Sequence, residues 1–129
     1  MLVIDDNAAN RELYVDLLEM TPYEVLTLDS GEGAVEMVCA RRPALVLLDI
    51  NLPGKDGFEV ARAIHAALGD EAPAIIALTA SSLPGLQDRL RQAGFCALMS
   101  KPCGLATFLE GVEWGINPVP QRVFRQFSG

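Results

Sequence analysis

The sequence predicts an α/β fold: a five-stranded parallel sheet with helices on both faces, doubly wound as (βα)5. Three observations predict it. Short apolar runs alternate with segments whose apolar residues recur at helical spacing, starting from the first residues of the chain. The runs over 44–48 and 74–78 are apolar throughout, as strands covered on both sheet faces are. Turn formers stand at the junctions, including Pro53-Gly54 and Asp56-Gly57. A chain of 129 residues suits one domain with one core.

Leu2-Val3-Ile4 reads as the first strand. Leu13, Leu17 and Leu18 then recur with helical spacing, and Pro22 ends that helix. A second strand is predicted over 24–28. A helix over 31–41 carries Ala34, Val35 and Val38 on one face, and Pro43 follows it. The third strand, 44–48, runs into the turn-rich loop 51–57. The next helix places Ala61, Ile64 and Leu68 on one stripe, and 74–78 forms the fourth strand. A helix over 86–93 is stopped by Gly94. The fifth strand covers 96–99, and Leu105, Phe108, Leu109 and Val112 give a last amphipathic helix. The folded unit is thus expected over 1–113. Residues 114–129 read as a tail or linker, because Pro118 and Pro120 bar a regular helix. A sharper reading of that segment is an arm that docks on a partner through Trp114, Phe124 and Phe127.

Composition narrows the class of function. Half of the residues are hydrophobic and 21% are charged, the balance of a globular domain. A net charge of −7 repels nucleic acid and anionic lipid, so direct binding to either is not expected. Cys39, Cys96 and Cys103 are odd in number and contain no C-x-x-C, so neither a disulfide framework nor a zinc site is expected. The start lacks the basic and apolar regions of a signal peptide, and no apolar run is long enough to span a bilayer, so a cytoplasmic location is expected. His65 is expected at a solvated helix position.

The chemistry lies at the carboxyl ends of the predicted strands. Asp5-Asp6 ends the first, Asp49 the third, Thr79 the fourth and Lys101 the fifth. In a parallel sheet these ends share one edge, where ligands of doubly wound folds bind. Crowded carboxylates repel one another and favour a hard divalent cation such as Mg²⁺, which takes oxygen ligands and keeps several waters. Lys101 can balance charge and hold a phosphate oxygen, and the Thr79 hydroxyl can donate to another. A carboxylate beside the metal can attack phosphorus, which gives an aspartyl phosphate. Each feature alone is weak: Asp5, Asp6 or Asn7 would serve equally as a helix cap. Their joint occurrence in this order is the signal.

These residues, with their surroundings LVIDDN, LVLLDINLPGKDG, IIALTA and ALMSKP, resemble the receiver domain of bacterial response regulators. The resemblance covers residues 1 to about 113. The run from Asp5 to Leu13 is similar to the receivers of hybrid kinases and of single-domain regulators. The resemblance implies a flavodoxin-like sheet and a switch rather than an enzyme acting on a free metabolite. It makes Asp49 the phosphoacceptor, supplied by a phosphohistidine on a histidine kinase or histidine phosphotransfer protein. It makes Asp6 and Asp49 direct Mg²⁺ ligands, adds the Asn51 backbone carbonyl, and gives Asp5 a role through water. It pairs Lys101 with the phosphoryl group, with a cis bond to Pro102, and turns Thr79 toward it. Ala80 leaves the acceptor open. A downstream protein or output domain would read the result; a homodimer is left open.

One departure stands out. Family members often carry an aromatic residue three positions before the lysine, and this chain has Leu98. That motivates a second reading, a receiver-like interaction scaffold that signals without phosphate. A third reading is a small Mg²⁺-dependent phosphatase of the haloacid-dehalogenase type. Such enzymes need an aspartate two places after the nucleophile to protonate the leaving group, and Asn51 cannot deliver a proton.

Overall fold

The computed structural model describes residues 1–52, 54, 56–80, 84–101, 103–117 and 123–128. Strands β1 (Leu2–Ile4), β2 (Leu26–Leu28), β3 (Leu45–Asp49), β4 (Ala74–Thr79), β5 (Ala97–Ser100) and β6 (Arg125–Phe127) alternate with helices α1 (Ala8–Leu18), α2 (Ala34–Arg41), α3 (Gly57–Leu68), α4 (Leu86–Ala93) and α5 (Leu105–Ile116) until the last strand. The sheet order is β2-β1-β3-β4-β5-β6, and every neighbouring pair is parallel.

The two-residue period of the strands divides the core into two layers. Leu2, Ile4, Val46, Leu48, Ile75 and Ala77 face the layer that also holds Val38, Ile64 and Leu90. Val3, Leu45, Leu47, Ile76 and Leu78 face the other, which holds Leu18, Phe108 and Val112. Strand β1 pairs with β2 on one side and β3 on the other, so the winding reverses between β1 and β3. Their carboxyl ends flank the crevice where a doubly wound fold binds its ligand.

The predicted five strand–helix pairs are present, with boundaries shifted by a few residues. Strand β2 is shorter than 24–28. Helix α2 starts at Ala34, after Gly33 takes a left-handed φ of 77°. Helix α5 continues past Glu113 to Ile116, just short of Pro118.

Two expectations are corrected. The sheet has six strands, because residues 125–127 of the expected tail pair in parallel with β5. Phe127 and Trp114 therefore meet each other within the domain. His65 is half-buried, and its Nε2 lies 2.9 Å from the Gly94 carbonyl oxygen, tying α3 to the end of α4. Gly94 has a φ of 97°, and a Cβ there would stand 2.2 Å from the His65 ring. The predicted Pro53-Gly54 turn, Lys55, the Lys101–Pro102 bond and residues 118–122 fall wholly or partly outside the described residues.

Candidate functional site

Local sequence sets each side chain at the edge. The ladder continues past Ile4, where the Asp5 amide donates to the Leu28 carbonyl at 3.1 Å. Asn7, not Asp5 or Asp6, caps α1 and accepts from the Asn10 amide at 3.0 Å. Both aspartates are thereby left free of the cap role. On β3, Leu48 is level with Ile4, so Asp49 and Asp5 each stand one residue beyond the same register position. Thr79 ends β4, and its carbonyl accepts from the Lys101 amide at 2.9 Å.

The loop after Asp49 is folded back tightly. The Asn51 amide donates to Asp49 Oδ1 at 2.9 Å, and the Gly57 amide donates to the Ile50 carbonyl at 3.3 Å. Asp56 caps α3 by accepting from the Glu59 amide at 2.8 Å. A Cβ on Gly57 would lie 2.6 Å from Ile50 Cα and 2.9 Å from the Asp49 carbonyl oxygen. Both contacts are backbone atoms of the segment that carries Asp49, so glycine at 57 is a requirement of the site's geometry.

Asp5, Asp6 and Asp49 come together, each with a carboxylate oxygen within 4.8 Å of the others. Asp5 is fully buried, Asp49 is 6% exposed and Asp6 faces solvent. Lys101 bridges the two buried acids, with Nζ 2.8 Å from Asp5 Oδ2 and 2.9 Å from Asp49 Oδ2. Burial alone would lower the Lys101 ammonium; its hydrogen bonds to Asp5 and Asp49, with their charges, outweigh that and hold it above its ordinary value. Thr79, 2% exposed, lies on the strand between β3 and β5. The structure thus gathers Asp5, Asp6, Asp49 and Lys101, sets Thr79 at the same edge, and hangs Asn51 beside Asp49.

Two supporting residues lie outside the sequence-predicted set. Asn10 Nδ2 donates to Asp5 Oδ2 at 3.3 Å, and Arg11 Nη1 donates to the Asp5 carbonyl at 2.8 Å. Together with the Asn7 amide on Asp5 Oδ1 at 2.9 Å, they occupy both oxygens of Asp5 and orient it. Their signal in the sequence is placement alone: both sit in the first turn of the helix that follows Asp5-Asp6.

A pH prediction follows from the raised Lys101. A cation held above its ordinary pKa in the folded state stabilises below that value and loses the contribution as pH rises through the folded value. Tyr14, pushed up to about 12 by burial, adds a fall of the same sign. Urea midpoints should therefore drop as pH climbs through the alkaline range. In a Tyr14→Phe background, the part of that drop that belongs to the lysine should vanish with Lys101→Met.

The donor set suits a hard cation. Three carboxylates face one ammonium, which leaves an excess of negative charge, and exposed Asp6 opens the cluster to water. The profile of the response regulator receiver domain family matches residues 1–113. The chain belongs to that family. The receiver is 33% identical over 113 residues to the polar-differentiation response regulator DivK of Brucella anthropi, covering 88% of this chain and 92% of that protein. DivK of Brucella ovis matches to the same extent. Among solved structures, the receiver domain of a sensor histidine kinase of Pseudomonas aeruginosa is 30% identical, with a TM-score of 0.80, covering 89% of this chain and 94% of that one. That domain was solved with a magnesium ion coordinated in its active site cleft. Chemotaxis protein CheY4 of Vibrio cholerae shares the fold at 24% identity, with a TM-score of 0.82 over 88% of this chain and 95% of that one. The chain is therefore a receiver domain of two-component signalling.

Proposed function

We propose that this receiver accepts a phosphoryl group from a phosphohistidine onto Asp49 and passes the change to a partner or output domain. The observation that carries the reading is the bridge of Lys101 across Asp5 and Asp49 at the mouth of the β1–β3 crevice. The Asp49 carboxylate attacks phosphorus, an oxygen–phosphorus bond forms, and the phosphorus–nitrogen bond breaks with its electron pair leaving on the imidazole. Lys101 then exchanges a carboxylate contact for a phosphoryl oxygen. Thr79 donates its hydroxyl to another phosphoryl oxygen, and Asn10, Arg11 and the Asn7 amide keep Asp5 in place.

Asp6 and Asp49 would hold Mg²⁺ directly, with the Asn51 carbonyl, and Asp5 through water. Bound there, the ion supplies charge neutralisation for the phosphoryl oxygens. Exposed Ala80 leaves the acceptor open to the donor and, later, to the water that hydrolyses the acyl phosphate. Phosphorylation adds up to about two negative charges beside Lys101 and Thr79, and the conformer that satisfies them best gains population.

Incubation with acetyl phosphate and Mg²⁺, followed by intact-protein mass, tests this. Uptake of one phosphoryl group, lost when Mg²⁺ is chelated, is the expected result. No uptake under conditions that modify another receiver would remove the phosphoacceptor role and leave the interaction scaffold, which buried Leu98 motivates.

A further inference from the structure

The β5 edge is where this chain departs from a five-stranded receiver. Residues 125–127 pair Arg125 with Ala97, Gln126 with Leu98 and Phe127 with Met99. Phe127 is 3% exposed and meets Trp114 of α5 edge-on, with ring centroids 5.5 Å apart. It fills the hollow beside Gly111, where a Cβ would stand 2.4 Å from Met99 Cε and 3.4 Å from Phe127 Cγ. The Arg125 guanidinium lies 4.7 Å from the Phe127 ring centroid and 3.3 Å from Glu110 Oε1. On the α4 side, Gln87 Nε2 donates to Gln126 Oε1 at 2.8 Å, and the Arg91 guanidinium lies 5.3 Å from the Phe124 ring. The segment thus crosses α4, β5 and α5 and seals Leu98 from the open side.

The forces that hold it are uneven. Phe127 is the one buried ring of the segment, and half-buried Phe124 packs against the layer on the other face. The Arg125–Glu110 pair and the Gln87–Gln126 bond are exposed, and such rim contacts contribute little. Three paired residues at a sheet edge make few hydrogen bonds, whereas β3 and β4 pair over five residues at the sheet centre. Contacts of this kind lie at the low end of a domain's local stability. When they break, β5 is left with unpaired backbone groups, a template for another extended segment.

We propose that residues 123–128 are a strap that opens as a unit, ahead of the domain it covers. Its opening bares the β5 edge for an extended parallel segment of the same pattern: a cation facing Glu110, a polar residue beside Leu98, and an aromatic ring in the hollow at Gly111. The closed strap is then an autoinhibitory contact, because it already occupies the edge such a partner needs. The proposal stands apart from phosphorylation, since it needs neither Asp49 nor a metal.

The test uses the full chain and amide hydrogen exchange. In wild type, the amides that join 97–99 to 125–127 should exchange about tenfold faster than those over 46–48. Phe127→Ala should speed the 97–99 amides by about a further tenfold, and the 46–48 amides should remain slower than 97–99 in both chains. A synthetic peptide of residues 123–128, added to the Phe127→Ala chain, should restore that protection and shift Trp114 emission. The same peptide with alanine for its second phenylalanine should do neither. Arg125→Glu sets two carboxylates together on the exposed rim, keeps the buried ring, and should speed the same amides in a chain that folds even if Phe127→Ala does not. Exchange of 97–99 at the same rate as 46–48 in wild type, unchanged exchange in both variants, or no protection by the peptide would each overturn the strap.

Discussion

Asp49→Ala will stop phosphoryl uptake from acetyl phosphate, by a factor above about a thousand, while the domain stays folded. The size follows from the proposed role, in which phosphorus becomes bonded to this carboxylate and alanine offers no replacement. The survival of the fold follows from the geometry. Lys101 keeps its contact with Asp5 at 2.8 Å, so the substitution strands no buried charge. It also relieves the repulsion among three carboxylates that lie within 4.8 Å of one another. Asp6 is the neighbouring carboxylate, but it is exposed and has no contact with Lys101 among the described residues. Intact-protein mass over time, with circular dichroism as the check on folding, measures both halves of the prediction.

Lys101→Met will cost the fold as well as the reaction. Asp5 is fully buried and Asp49 nearly so, and both pair with one ammonium. Removing one member of a buried charged set leaves the others uncompensated; here that costs about 2–3 kcal/mol, toward the low end because the ammonium is partly exposed. Urea unfolding in the presence of a chelator should show the full loss. Mg²⁺ should return part of it, because a cation bound to the folded state stabilises by mass action. Uptake should slow by about a hundredfold rather than vanish, since the proposed reading keeps the acceptor and loses one charge that matches the phosphoryl oxygens. Recovery in Mg²⁺ separates a charge effect from a packing effect, which the ion would not reverse.

Both predictions rest on residues that the amino-acid sequence alone makes legible. Strand ends can be read because a parallel sheet buried on both faces demands continuous apolar runs, and the first one or two residues after each run are then placed on one edge. That logic locates Asp5, Asp49, Thr79 and Lys101. It fails where contacts are distant or patterns are short. Arg125-Gln126-Phe127 has no apolar alternation and follows prolines, so nothing local marks it as a strand; its pairing is decided by the open β5 edge and by the hollow at Gly111. His65 reaches Gly94 across 29 residues, a contact no helical period reveals. Asn10 and Arg11 support Asp5 only because α1 starts within two residues of Asp6 and turns its first residues back over the strand end. Leu98 is legible as a departure, and the structure gives it a physical setting: it is 4% exposed, level with Gln126 of the added strand.

The proposed reaction leaves the phosphoryl group on Asp49 as an acyl phosphate. Borohydride reduces such a phosphate to an alcohol and so turns the modified aspartate into homoserine, which peptide mass mapping locates. Homoserine at position 49 after incubation with acetyl phosphate and Mg²⁺, and unaltered aspartate without the donor, is the predicted result. Homoserine at Asp6 or Asp5, or a phosphoryl group on a residue that borohydride does not convert, would contradict it.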